Sequence, residues 1–317
     1  MMFGARAIGG LALCLVLAAA LGAPADEKWY PSKYGANDTL GAVNELTPDK
    51  VRTAAGLVKT GEVYSLGIEV SPATPAYPPR TFQIFTFTAG DGTGAVLGAN
   101  EAYYNDDMVL TWVGIGSQLD GLGHLGIGHR LYNGLKQQDV MRPGGLAKLG
   151  THLIPPIATR GVLLDVAGLK GVTPLAGGTA ITKTDLEAAR AKQGGVAIGK
   201  GDVVLIHTGW LALAKSDPKK FMETEPGLGA DAAEYLASLG VVAVGADCWG
   251  LEAVPAQDPK QAFPVHQILL AKNGIYILEN VQTAELASDS AWEFMFVLGF
   301  PKWVGAVQAM INPVAIR

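Results

Sequence analysis

The chain has 317 residues, 49% of them hydrophobic and 17% charged, which supplies enough apolar side chain for a large core and excludes a disordered polymer. Its formal net charge is −5, and no dense basic cluster stands out beyond the Lys219-Lys220 pair, which argues against a nucleic-acid surface. Of the two cysteines, Cys14 falls in an N-terminal apolar run and leaves Cys248 alone, so the fold is expected to rest on its core rather than on a disulfide.

Arg6, the apolar run Ile8 to Leu21 and the small-x-small site Ala23-Pro24-Ala25 read as a cleavable signal peptide over residues 1–25. That predicts a periplasmic or secreted chain starting at Asp26, with no membrane anchor after cleavage. Residues 26–46, polar with Trp29, Tyr30 and Tyr34, read as an N-terminal arm lying on the body of one domain, 26–317.

Thr47-Pro48-Asp49 carries an N-cap, a first-turn proline and an acidic residue at the positive helix end, which predicts a helix over 48–57. Ser71 to Arg80 holds four prolines and must be a loop. Thr81 to Thr88 alternates polar and apolar residues, the pattern of a half-buried strand. Apolar runs over 161–166, 202–207, 241–245 and 275–278 suit strands covered on both faces. Helices are expected over 183–192 after Thr182, over 230–239 before Gly240, and over 264–272 before Asn273-Gly274. The order gives a mixed α/β single domain without internal repeats.

Gln118-Leu-Asp120-Gly-Leu-Gly-His124 sets an amide oxygen, a carboxylate and an imidazole in a glycine-dense loop, and these are donors for Zn²⁺ or Mn²⁺. Gly121 to Gly126 spells a G-x-G-x-x-G string. However, Gly126-Ile-Gly128 continues the loop where a dinucleotide fold would start a helix, and no acidic residue follows at the required distance. Ser117 lacks the strand-to-helix elbow of a nucleophilic serine. His266, in the first turn of the 264–272 helix, and Glu279, at the end of the 275–278 strand, occupy element ends where chemistry concentrates in α/β folds. Spacing alone does not bring them to Asp120. His129 is a weaker acid-base candidate, His207 is expected to satisfy a core hydrogen bond, and His152 carries no chemical signal. Trp29, Tyr30, Tyr103, Tyr104, Trp112, Trp210 and Trp249 are candidates for a substrate wall.

The chain resembles the cyclase family of metal-dependent hydrolases, which includes bacterial kynurenine formamidase and isatin hydrolase and whose hallmark is His-x-Gly-Thr-His-x-Asp-x-Pro-x-His. Gly114-Ile-Gly116-Ser117-Gln118-Leu-Asp120-Gly-Leu-Gly-His124 occupies that frame. Supporting stretches are Gly41 to Pro48, Gly201 to Trp210, Pro226-Gly-Leu, Gly245-Ala-Asp247, Pro264-Val-His266 and Leu278-Glu279-Asn280. The resemblance implies the swivelling β/β/α fold, with a mixed sheet and flanking helices. It places Asp120, His124, His266 and Glu279 on metal-ligand positions, with Gln118 as a further oxygen donor. The family's first two histidines are Gly114 and Gln118 here, which implies one divalent ion (Zn or Mn) per subunit rather than two.

On that resemblance the chain is expected to hydrolyse a small cyclic or aryl amide, formamide or lactone with metal-activated water, as a homo-oligomer. His124 and Glu279 are its expected catalytic groups, His124 as ligand or proton carrier, and Trp29 and Tyr30 are placed to close over a neighbouring subunit's site. A metal-dependent cyclase or dehydratase, or a non-catalytic exported binding protein, are the competing expectations.

Overall fold

The four apolar runs become the spine of one sheet. The structure, a computed structural model, describes residues 28–88 and 96–317; the expected signal peptide lies outside the described residues. In chain order the strands are β1 (Val63–Ser65), β2 (Phe82–Thr88), β3 (Asn105–Thr111), β4 (Gln118–Asp120), β5 (Ile157–Asp165), β6 (Ala180–Ile181) and β7 (Val203–His207). They continue with β8 (Gly227–Leu228), β9 (Ala243–Ala246), β10 (Tyr276–Glu279), β11 (Glu293–Leu298), β12 (Gln308–Met310) and β13 (Val314–Ile316). Nine of them form a mixed sheet in the order β1-β13-β11-β5-β7-β9-β10-β4-β12.

β5, β7, β9 and β10 run parallel and are almost wholly buried, as continuous Val/Ile/Leu runs require when helices cover both faces. On one side β10 pairs antiparallel with β4, and β4 with β12; on the other, β11, β13 and β1 continue antiparallel from β5. The helix Lys183–Lys192 starts after Thr182 as expected and carries a capping box, in which the Thr182 side chain accepts from Asp185 N while Asp185 answers the Thr182 backbone. The helix Ala230–Leu239 ends at Gly240 in the left-handed conformation. Thr47 caps Pro48–Ala55, which packs on β5.

Two elements differ from expectation. The segment read as one helix over 264–272 is α-helical only at Pro264–His266 and widens to a π-helix over Gln267–Lys272. Ile268, Leu269, Leu270 and Ala271 are all buried there, against β10 on one side and the helix Ala230–Leu239 on another, which an ordinary amphipathic stripe would not achieve. The strand over 81–88 forms, but half-burial is overturned. β2 pairs only with β3 in a separate two-stranded ribbon, and Ile84, Phe87 and Leu110 are exposed. Alternation fixes which residues share a face; it does not say whether anything in the same chain covers that face.

The arm from residue 28 onward lies on its own chain. Tyr132 Oη bonds Ser32 Oγ (2.5 Å) and donates to Asp38 (2.6 Å), Asn133 Nδ2 donates to the carbonyls of Gly35 and Asp38, and Tyr30 packs on Gly134 and under Arg130. Gly41 is the tightest point of this docking. Its φ is +60°, and an added Cβ would overlap the Gly274 carbonyl oxygen and lie 2.9 Å from Gly274 Cα. Gly41→Ala is expected to cost roughly 2–4 kcal/mol from left-handed strain and backbone overlap together. A lowered urea midpoint at unchanged m-value is the readout, and an unmoved midpoint would refute it.

Candidate metal centre

Strand register assembles the site. Across β4 and β10, Gln118 faces Glu279 and Asp120 faces Ile277; across β4 and β12, Gln308 faces Asp120. Residues two apart on a strand share a face, so Gln118, Asp120, Glu279 and Gln308 project from the same side of the sheet. The loop after β4 then brings back His124, and the short helix after β9 delivers His266 from its first turn.

Asp120, His124 and His266 each offer a ligand atom, all within 4.8 Å of one another. Asp120 Oδ2 lies 3.5 Å from His266 Nε2 and 3.6 Å from His124 Nε2, and Glu279 Oε1 lies 3.4 Å from His266 Nε2. These separations exceed a good hydrogen bond and suit atoms converging on a common cation. Asp120 Oδ1 accepts from Gln308 Nε2 at 2.6 Å, whereas Oδ2 is buried with no hydrogen-bond partner among the described residues. A buried, unpaired carboxylate oxygen is costly unless a cation satisfies it, so the donor set fits a divalent ion.

The electrostatics agree. Burial works against a charged Asp120, yet the neighbouring His124 and His266 hold its pKa down to about 2. Burial and then the Asp120 charge push Glu279 up to about 7. Burial opposes a charged His266, but Asp120, Glu252 and Glu279 together hold it well above the usual imidazole value. Three carboxylates crowd one imidazole, and positive charge at their focus relieves the crowding.

Glu252 orients that imidazole. Its Oε1 accepts from His266 Nδ1 at 2.5 Å and from His266 N at 3.1 Å, and Oε2 accepts from Val265 N at 3.3 Å. With Nδ1–H directed at a carboxylate, the Nε2 lone pair is left for the centre. His124 is the most open member, 23% exposed against 4% for His266 and none for Asp120. Burial lowers its pKa, and the charges of His266 and Arg80 add to this against the pull of Asp120, which keeps it neutral near pH 7.

The other sequence candidates are placed as follows. Gln118 is in the site, but its Nε2 donates to Glu279 and its Oε1 lies 3.5 Å from Arg80 Nη1, so in this arrangement it braces a carboxylate. His129 sits outside the cluster beside Gln137. His207 bonds Thr283 at 2.8 Å, with Asp247 at 3.3 Å, as a core histidine would. Ser117 is a buried staple, donating to Asn280 O and accepting from Ile68 N. Three polar residues of the site escaped the sequence reading: Arg80, Glu252 and Gln308. Only Arg80 left a trace, as the charged end of a proline-rich loop.

The centre opens into a cavity of about 220 Å³ walled by Tyr77, Trp249 and Phe263, with Arg80, His124 and Glu279 on its polar side. A larger hollow of about 520 Å³ beside His129, Arg130 and Lys136 has no carboxylate in its lining.

The family model described as “Putative cyclase” matches residues 64–253. A crystal structure described as that of a novel cyclase is 32% identical, over 90% of this chain and 98% of its own, with a TM-score of 0.81. The chain belongs to the cyclase family. An isatin hydrolase solved with the product analogue thioisatinate shares this cyclase fold at 18% identity, over 85% of this chain and 98% of its own, with a TM-score of 0.59. Isatin hydrolase A from Ralstonia solanacearum does so at 19% identity, over 84% and 94%, with a TM-score of 0.61. Comparison with curated protein sequences finds no match. The sequence resemblance sets Gly114 and Gln118 against the motif's histidines, and the structure shows the surroundings of Gly114. A Cβ on Gly114 would overlap the Gln308 side chain, 2.7 Å from its Cδ, and the Gly114 carbonyl accepts from Arg80 Nη1 at 2.6 Å.

Proposed function

We propose that the chain is a single-metal hydrolase, exported and homo-oligomeric, that opens a small cyclic or aryl amide, formamide or lactone. The observation that carries this reading is the orphaned Asp120 Oδ2, buried and faced by two imidazole nitrogens at 3.5 and 3.6 Å. Asp120, His266 and Glu279 would hold one Zn²⁺ or Mn²⁺. Such an ion supplies Lewis acidity, polarising a carbonyl and making a nearby water acidic enough to attack it near neutral pH.

The protein's own groups do the rest. His124, neutral and open to the cavity, takes the proton of the attacking water at Nε2 and returns it to the departing nitrogen or oxygen. Glu252 keeps His266 in one tautomer, and Gln118 and Gln308 hold the carboxylates of Glu279 and Asp120 in place. Tyr77, Trp249 and Phe263 offer apolar faces to a flat substrate and keep bulk water from it.

Elemental analysis of purified protein, paired with a hydrolysis screen of aryl formamides, isatin-like lactams and small lactones, tests the reading. One equivalent of metal and a ring-opened or deformylated acid are expected. Absence of stoichiometric metal, with ligand affinity untouched by Asp120→Ala, would instead identify a binding protein.

A further inference from the structure

The proline-rich loop Ser71–Arg80 ends in a guanidinium that no step above uses. Arg80 Nη1 donates to Gly114 O at 2.6 Å and lies 3.5 Å from Gln118 Oε1; both are neutral acceptors. Among the described residues Arg80 makes no salt bridge. A guanidinium has five N–H donors, and a half-buried one in a cavity wall whose acceptors among the described residues are neutral is prepared to receive an anion.

The surroundings narrow the anion. Tyr77 and Trp249 set their rings 5.8 Å apart at 33°, making an aromatic wall beside Arg80. Glu225, completely buried, accepts from Trp249 N at 2.7 Å and Gly250 N at 3.1 Å and so fixes the position of that wall. Arg80 thus shares the cavity lining with this aromatic pair, and Gln118 stands between it and Glu279. About 220 Å³ lies below the range of drug-sized pockets and suits a molecule of one ring or two fused rings. Arg80 adds positive charge at the cavity wall, which favours an anion over a neutral molecule of the same shape there.

We infer that Arg80 is the receptor for a carboxylate carried by the substrate, so that the cavity selects small planar amides or lactones bearing an acid group over neutral ones. This rests on the hydrolase reading for the word substrate, but its test does not depend on turnover. Metal-loaded wild-type protein, Arg80→Gln and Arg80→Lys are titrated calorimetrically with benzoate and with its neutral isostere benzamide, and metal content is measured in each.

Benzoate is expected to bind Arg80→Gln at least tenfold more weakly than wild type and to recover in part in Arg80→Lys, with benzamide affinity within twofold and metal content equal throughout. A loop-anchoring role for Arg80 would weaken both probes alike. That result, unchanged benzoate affinity in Arg80→Gln, or a wild type that does not bind benzoate, would overturn the inference. Hydrolysis of acid-bearing amides at unchanged kcat/KM in Arg80→Gln would sink it and leave the proposed function standing. Arg80-dependent benzoate binding in a protein that hydrolyses nothing would do the reverse.

Discussion

Asp120→Asn is expected to strip the metal from the protein and to lower hydrolysis by roughly 10³-fold or more, the scale on which a lost electrostatic catalyst acts. The substitution is nearly isosteric, and the amide oxygen can still accept from Gln308 Nε2 at the position of Oδ1. What changes is Oδ2, the buried oxygen faced by both imidazoles, where a neutral NH₂ would now point hydrogens at the focus of the cluster. The fold should survive, because β4 keeps its backbone pairing with β10 and β12. Elemental analysis and turnover are read together, and full metal with full activity would remove Asp120 from the centre. The same joint loss is expected of His266→Ala and Glu279→Ala.

Glu252→Gln should weaken metal affinity about 10- to 100-fold while leaving the ligand set intact. Glu252 is 2% exposed and touches the ion's expected position only through His266, whose ring and backbone N–H both bond to Oε1. Glutamine retains one acceptor but loses the charge, and its NH₂ must face a backbone or ring N–H already pointing inward. The imidazole is then free to rotate, and its Nε2 becomes less basic. Competition with a chelator measures the shift; an unchanged dissociation constant would show that the 2.5 Å contact has no part in orienting His266.

Local structure was legible where local chemistry decides it. The helices 183–192 and 230–239 begin and end where the Thr182 box and the Gly240 turn put them. The parallel strands stand out because residues buried on both faces are apolar without alternation. The site was legible only as pieces. Gln118 and Glu279 are 161 positions apart, and their meeting depends on the antiparallel pairing of β4 with β10, which no periodicity encodes. Glu252 and Gln308 sit in stretches with no motif, and their roles exist only through His266 and Asp120. The exposed ribbon of β2 and β3 was misjudged for a related reason, since burial is decided by what lies opposite a strand.

Gln308 packed over Gly114 also ties the fate of one position to the other. A side chain at position 114 requires Gln308 to swing aside, because its Cβ would meet the end of the Gln308 side chain. Removing Gln308 would deprive Asp120 of a hydrogen bond. The neighbouring Gly114 carbonyl is already engaged by Arg80. Positions 114 and 308 are therefore coupled: any side chain seated at 114 draws Gln308 away from Asp120, so the two substitutions are expected to be non-additive.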